Sequence, residues 1–522
     1  MSMLNQPAAA PVVPMVPLAE VDDVGLVPHD VARGVTMLAG GAEFAALDDI
    51  PAGHKVAVRA IAAGEPVHKY GQVIGIASGD IAVGAHVHVH NLVVGELSPG
   101  ASPGSPQPTP LPSSTAARPT WSAPAAATRT HFLGYRRADG RAATRNYIAV
   151  LPTVNCSATV SRIIAQQANA RHLGGEALDG IIALTHDLGC GMAEGTAGDE
   201  ILRRTLRGYA RHANIAKILV VSLGCEVNQP ENIFGPDMPV EILAIQDLGG
   251  SAATVNAALE RIEELVAQVA TLRREPIPVS ELILGLQCGG SDAYSGLTAN
   301  PTLGVAADLL IAAGGRAILG ETPEIYGAEH LLRDRAADPA LTRRIDELIA
   351  WWQNYTRANG AEMDSNPSKG NRAGGITTIW EKSLGAVLKG GTSPLNDVVA
   401  YADPVTAPGL TFMDTPGYDP VSATGMVAGG ANLMAFTTGR GSVFGSRPTP
   451  CLKISTTTRL YEHMKGDIDF DAGPAMSRDE QIRRGILLFE ALVDMASGAP
   501  SKSEALGFGT EEIVPWRMGA VM

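Results

Sequence analysis

LILGLQCGGSDAYSGLTANPTLGVAADLLIAAGGRAILG, residues 282–320, decides how the chain is read. LILGLQ is a short apolar run of strand length, and RAILG is another. Between them lie a glycine-bearing polar loop, QCGGSD, and a helical pattern, NPTLGVAADLLIAAGG. Strand, loop, helix and strand in that order predict a parallel pair with a covering helix. IIALT (181–185), ILVVSLG (218–224), VEILAI (240–245), LTFMD (410–414) and LMAFTT (433–438) are further buried-strand runs. A second amphipathic stretch follows one of them, SAATVNAALERIEELVAQVATLRRE (251–275). The expectation is an α/β body with mostly parallel sheets from about residue 131 to 522, divisible into two subdomains.

Upstream the pattern changes. KVAVRAI, PVHKYG, VIGIA and HVHVHNLVV, all within 55–94, are short segments separated by glycine turns, so residues 18–97 read as a small β-rich domain. Residues 98–130 are dominated by Pro, Ser, Ala and Thr and read as an extended linker. Residues 1–17 read as a disordered tail. Its prolines and lack of a basic start argue against a signal peptide or a membrane span.

The chain has 522 residues and a formal charge of −14 from 40 basic and 54 acidic side chains. With no basic run, that balance disfavours nucleic acid as a partner. Five cysteines in such a length are not a disulfide framework, so a reducing, cytoplasmic setting is expected. LGCGMAEG (188–195) has one residue too many for G-x-G-x-x-G, and no P-loop occurs, so no nucleotide cofactor is expected.

The residues that follow each strand carry the chemistry, because ligands of parallel sheets bind beyond the strand ends. These are THDLGCG (185–191), SLGCE (222–226), QCGGSD (287–292), GETPE (320–324), MDTPGYD (413–419) and FTTGRG (436–441). Their glycines let backbone amides approach a ligand, and Arg440 offers a fork for a carboxylate. Cys156, Cys190, Cys225 and Cys288 each end a strand-like segment. They read either as inert buried thiols or as ligands of a metal or cluster. In HVHVHN (86–91), alternation on a strand would put His86, His88 and His90 on one face and Val87 and Val89 in the core. Two imidazoles at i and i+2 can converge on one metal, and such ligands suit Fe(II), Mn(II) or Zn(II).

These segments resemble the altronate and galactarate dehydratases, a family that includes the two-subunit sulfolactate sulfo-lyases. GHKVAVRAI (53–61), KYGQVIG (69–75) and HVHVHN carry the likeness in the small module. GYRRADGRAATRN (134–146), LPTVNC (151–156), QCGGSDAYSGLTANPTLG (287–304), ETPEIYGAEHLL (321–332), NPSKGNRAGGITTIWEKSLG (366–385) and DIDFDAG (467–473) carry it in the body. The resemblance implies an SAF-type β domain, a large α/β dehydratase domain and dependence on a divalent metal, chiefly Fe(II). It also implies loss of water from an aldonate or aldarate to give a 2-keto-3-deoxy acid. One departure stands out: where the family reads H-x-x-D-N, this chain has Ala19-Glu20-Val21-Asp22-Asp23. HVHVHN and YGAEHLL lean toward altronate rather than galactarate.

The implied chemistry removes a proton from C2 beside a carboxylate and hydroxide from C3. Expected metal ligands are His86 and His88, with His90 or Asp22. Expected acids and bases are His186, Glu226 and the Lys69–Tyr70 pair, and expected substrate contacts are Arg440, Lys382, Ser291 and Asp292. For Lys382 the bland reading is a solvated helix pair, and for His186 a satisfied core histidine. An iron–sulfur cluster on three of the four cysteines is the alternative to mononuclear iron. A sulfo-lyase or a non-catalytic sugar-acid binder are the alternative functions. The expected partners are a small sugar acid and further copies of the chain as a homo-oligomer.

Overall fold

In the computed structural model the described residues are 12–16, 19–95, 129–172, 177–236, 238 and 240–519. Of the expected disordered tail, residues 1–11 and 17 lie outside them, but Val13–Pro14 is a strand that pairs in parallel with Met37 and Leu38, and Val13 and Met15 are buried, so residues 12–16 belong to the small module. The expected linker falls outside them except for residues 129 and 130.

The body is built mainly on two sheets whose strands, labelled β1 to β11 in chain order, all pair in parallel, with a third, antiparallel sheet of His131–Arg136, Ala142–Ala143 and Glu275–Pro278 outside that numbering. β1 (Tyr147–Pro152), β2 (Gly180–Ala183), β3 (Ile215–Ser222) and β4 (Glu241–Ala244) form a sheet of order β2-β1-β3-β4. The second sheet contains β5 (Ile283–Cys288), β6 (Arg316–Leu319), β7 (Leu395–Val399), β8 (Gly409–Met413), β9 (Leu433–Thr438), β10 (Cys451–Ser455) and β11 (Phe470–Asp471). Its order is β7-β8-β6-β5-β9-β10-β11. β1, β8, β9 and β10 are buried along their whole length, as apolar strands covered on both faces must be. Every apolar run named above as a body strand is one. β7, β10 and β11 escape that reading because their runs are short or interrupted by Asn, Asp and Lys, whereas β1, YIAVLP, is a continuous apolar run not counted among the expected strands.

The helix in the opening stretch is Ala299–Ala312, and it is not amphipathic. Eleven of its residues are buried, from Ala299 to Leu310 with Pro301 alone excepted. It runs through the centre of the body, where it packs against the helix Arg478–Ala496 and the turn after Val387. A Cβ on Gly485 would come within 2.4 Å of Val305, and one on Gly304 within 2.3 Å of the Leu388 carbonyl, so only glycine permits these approaches. The one acid on this helix, Asp308, is buried and accepts the backbone amides of Thr392 and Ser393 and both their hydroxyls. Among the described residues no helix is long and apolar enough to cross a membrane.

The small module consists of three three-stranded sheets. In one of them Lys55–Ala57 lies between Val24–Leu26 and His86–Val87; in another Gln72–Ala77 lies between Pro66–Lys69 and Leu92–Val93. HVHVHNLVV is therefore two strands joined by a turn. Asn91 makes the turn: its amide nitrogen donates to the His86 carbonyl, its side-chain oxygen accepts the His88 N–H, and its own N–H donates to the His88 carbonyl. Alternation stops there. Val87 is fully buried as expected, whereas Val89 is 44% exposed and His90 is exposed too.

Candidate active site

In the larger sheet the chain order reverses between β5 and β9, and at such a switch point the loops part to leave a crevice. The two loops there are QCGGSD after β5 and TTGRG after β9. They are tied by hydrogen bonds from Gly439 N and Arg440 N to the Gly290 carbonyl, at 3.1 and 2.7 Å. The resulting cleft of about 350 Å³ is walled by Gly289, Gly290, Asn366, Ser368, Lys382 and Asp419, among others. A Cβ at Gly289 would lie 2.0 Å from an Asp419 carboxylate oxygen, so glycine is required for that carboxylate to sit over the loop.

The floor of the cleft is a buried charge network. Lys382 Nζ donates to Glu324 Oε1 at 2.6 Å and to Asn366 Oδ1 at 2.9 Å, while Asn366 Nδ2 donates to the same glutamate oxygen. Beneath it Lys389 Nζ lies 2.8 Å from both Cys288 Sγ and Glu321 Oε2. Two ammonium groups balance two carboxylates, which is what makes burial of four charges tolerable. Burial pulls Lys389 down, but Cys288 and the two glutamates outweigh it and hold the ammonium well above its ordinary value. Burial likewise pushes the Cys288 thiol far up. Glu321 is pushed up to about 7, chiefly by burial, and Asp419 to about 6 by burial and then by the neighbouring Glu324 charge. Glu321 also holds a left-handed backbone at φ 68° and leaves Oε1 without a partner, so local strain and an unsatisfied acceptor coincide at this floor.

Lys69 and Tyr70 belong to a different node. Lys69 Nζ donates to Glu381 Oε1 at 2.7 Å, and Lys55 Nζ donates to Glu381 Oε2 at 2.8 Å and to the Gly375 carbonyl at 2.6 Å. Both lysines come from the small module and Glu381 from the body helix Ile379–Val387, so this triad clamps the two together. Burial and the Lys69 charge pull Lys55 down to about 8, against Glu381. Beside Lys69 and Tyr70 lies a void of about 10 Å³, shared with Ser291 and Asp292, which has room for about one water. Asp292 has Thr456, Ser295 and the Tyr294 amide as partners. Arg440, by contrast, is exposed at the rim and makes no ion pair with any described residue.

The histidines meet the body through the loop that also lines the cleft. His88 Nε2 lies 2.9 Å from the Arg372 carbonyl and His54 Nε2 3.3 Å from that of Ala373. His54 Nδ1 and His86 Nε2 are 3.0 Å apart. His54, buried and not singled out in the sequence, thus forms a near-equilateral triangle with the two expected ligands, its ring centroid 5.1 and 4.9 Å from theirs and theirs 5.4 Å apart. Burial and the neighbouring imidazoles lower His86 to about 3. His88 falls to about 4, again mainly through burial, so these rings carry free lone pairs at neutral pH.

Three expected site residues are engaged elsewhere. Asp22 accepts the backbone amides of Ala19, Tyr70 and Gly71, which consumes its carboxylate and leaves it apart from the histidines. Its neighbour Asp23 takes Arg59 and His68, so the acid that replaces the family's asparagine has charge partners of its own. His186 is buried, with Nε2 3.0 Å from the Pro152 carbonyl and Nδ1 accepting from Leu188 N: it is the satisfied core histidine. Glu226 accepts Thr153 Oγ1 and the amides of Leu223 and Gly224, which fixes the loop after β3. The cysteines divide as well. Cys156, Cys190 and Cys225 are exposed beyond the smaller sheet, and Cys288 is buried under the cleft. The working residues missed in the sequence, Glu321, Glu324, Lys389 and Asp419, all stand in or next to quoted motifs. Among them GETPE and MDTPGYD already marked strand ends.

Comparison with known proteins covers nearly the whole chain. Residues 13–95 match the altronate/galactarate dehydratase SAF domain, and 134–270 the second domain of D-galactarate dehydratase/altronate hydrolase. Residues 279–521 match the C-terminal domain of D-galactarate/altronate dehydratase. The chain is 35% identical to an altronate dehydratase of Bacillus subtilis (strain 168), over 96% of this chain and 98% of that one. It is 33% identical to a galactarate dehydratase (L-threo-forming) of Escherichia coli (strain K12), over 92% of each. The beta subunit of a (2R)-sulfolactate sulfo-lyase from Chromohalobacter salexigens is 33% identical over 72% of this chain and 95% of its own. With the small β-rich module, the parallel body and the cleft at its switch point all falling within matched segments, this chain belongs to the altronate/galactarate dehydratase family.

Proposed function

We propose that the protein is a sugar-acid dehydratase of the altronate type, working in the cleft at the switch point of the larger sheet. The observation that carries the reading is the pairing of a charged Lys382 with Asp419, a carboxyl of pKa about 6, on one 350 Å³ cleft. Family membership supplies the substrate class. Arg440 at the rim meets the substrate carboxylate as a fork. The Asp419 carboxylate, ionised at neutral pH and close to the ideal value for a base, takes the C2 proton. As the C3–O bond breaks, Lys382 gives its proton to the departing hydroxide, which leaves as water. The enol then becomes the 2-keto-3-deoxy acid, and solvent carries a proton from Asp419 back to Lys382. Glu324 and Asn366 hold Lys382 charged and aimed until it is used.

A divalent metal, Fe(II) or Mn(II), fits the histidine face better than the floor of the cleft. Cys288, Glu321 and Glu324 place ligand atoms within 4.8 Å of one another, yet the Lys389 ammonium already fills that set. At the face, the 3.0 Å between His54 and His86 nitrogens matches two adjacent corners of a metal with bonds of about 2.1 Å. His54 and His86 would hold the ion as a pair, since no third His, Cys, Asp or Glu among the described residues places a ligand atom within 4.8 Å of both, and it would supply Lewis-acid stabilisation of the enediolate. His90 is exposed beyond this pair.

The test is anaerobic turnover of altronate, galactarate and sulfolactate with Fe(II) or Mn(II), following keto acid and sulfite separately. Keto acid from a sugar acid, lost in Lys382→Ala, is the expected result. Sulfite release without dehydration would replace this reading by the sulfo-lyase one, and turnover of none of the three would remove it.

A further inference from the structure

The smaller sheet has a switch point of its own. β1 lies between β2 and β3, so the loops after these three strands gather at one edge. Each loop carries one exposed, unpaired cysteine: Cys156, Cys190 and Cys225. The loops are fastened to one another beside each thiol. Asn155 N donates to the Leu188 carbonyl, and Asn155 Nδ2 to that of His186. Asn228 N donates to the Gly189 carbonyl, and Asn228 Nδ2 to that of Thr153. A Cβ on Gly189, at φ 103°, would strike the Thr153 carbonyl at 2.4 Å, so the loop bearing Cys190 lies directly on the one bearing Cys156. His186, bonded to backbone on both nitrogens, and Glu226, which accepts two backbone amides and the Thr153 hydroxyl, are what stiffen this edge. Within it, the wholly buried Asn228 keeps its side-chain oxygen without a partner.

Thiolates at one rigid edge select soft metals. A single zinc ion with bonds of about 2.3 Å requires thiolates roughly 3.8 Å apart. Among the described residues, however, the only three ligand groups mutually within 4.8 Å are Cys288, Glu321 and Glu324. Three thiols spread more widely than a mononuclear site allows, yet fixed to one edge, suit a larger inorganic core that gives each sulfur its own iron. We propose that Cys156, Cys190 and Cys225 together bind an iron–sulfur cluster of the four-iron type, with the fourth iron free of protein ligand. Gln246 Nε2, 3.3 Å from Cys225 Sγ, is positioned to donate a hydrogen bond to a ligating sulfur. Cys288 takes no part, because it is buried in another sheet against Lys389. The site stands whether or not the substrate assignment holds.

The experiment is anaerobic reconstitution of the full chain with iron and sulfide, then measurement of iron, acid-labile sulfide and visible absorption. About four acid-labile sulfides per chain are expected for a four-iron cluster, with about four irons, or about five where the histidine face takes an ion of its own. Cys156→Ser, Cys190→Ser and Cys225→Ser should each lose most of the absorption and sulfide. Cys451→Ala and His86→Ala should keep both. The three thiols are exposed, so melting temperatures within a few degrees of the parent show that a loss is not unfolding. Zinc without sulfide, iron without sulfide, or absorption indifferent to all three serine variants would each overturn the proposal.

Discussion

Two lysine–glutamate nodes lie close together in this molecule and do opposite things. Lys55, Lys69 and Glu381 are sealed between the small module and the body, next to a void of about 10 Å³. Lys382, Glu324 and Asn366, with Lys389 and Glu321 below, face a cleft of about 350 Å³. Both use buried, charge-assisted hydrogen bonds at 2.6–2.8 Å. What separates clamp from reaction site is access: a buried charge can do chemistry only where a reacting atom can reach it. Lys382 and Glu381 are adjacent in sequence on one helix, and a turn of about 100° between them points one into each node.

That contrast can be broken most sharply at Lys382. Lys382→Ala is expected to lower kcat by about 10²–10⁴-fold, the usual worth of a positioned acid, with little change in melting temperature. Steady-state kinetics and calorimetry on the same preparation decide it. Glu381→Gln should do the reverse, costing about 3–5 kcal/mol because two buried ammonium groups lose their shared counter-charge. Urea unfolding measures it, and an unchanged midpoint would remove the clamp. Arg440→Gln should raise KM about 10–100-fold at nearly constant kcat, as loss of a fork to the substrate carboxylate would. The smallest effect sharpens the pH profile. Asp419 is raised to about 6, so the base is lost as pH falls through 6 and kcat/KM should fall tenfold per unit below it. Glu324 is the second cause of that rise, so Glu324→Gln should shift the acidic limb to lower pH, and a limb that stays in place would remove Asp419 as the base.

The structure also shows why some side chains were legible and others were not. Arg440 and Lys382 stand in motifs whose residue types announce their chemistry, and both line or rim the cleft. His186 and Glu226 stand in equally suggestive motifs, but their hydrogen bonds go to the backbone of their own loops and to Pro152 and Thr153 at the end of β1. Nothing in THDLGCG or SLGCE distinguishes a histidine or glutamate that holds a loop from one that meets a substrate. The histidine run failed differently. Alternation is a local rule, and Asn91 ended the strand by offering the backbone a turn, so the third imidazole swung out while His54 arrived from 32 residues earlier.

Sequence alone determined the layers of this protein. Period-two and apolar-run patterns are local consequences of burial, so they specify the β-rich module, the parallel body and the glycine-bearing strand ends wherever the chain places them. Only the tertiary structure decided which strand ends meet. Strand order brings the β5 and β9 loops together across 150 residues, puts Asp419 over Gly289, and parts Cys288 from Cys156, Cys190 and Cys225. The physical reason is that ligand atoms and proton donors act over about 3 Å, a distance set by long-range packing and by no spacing along the chain.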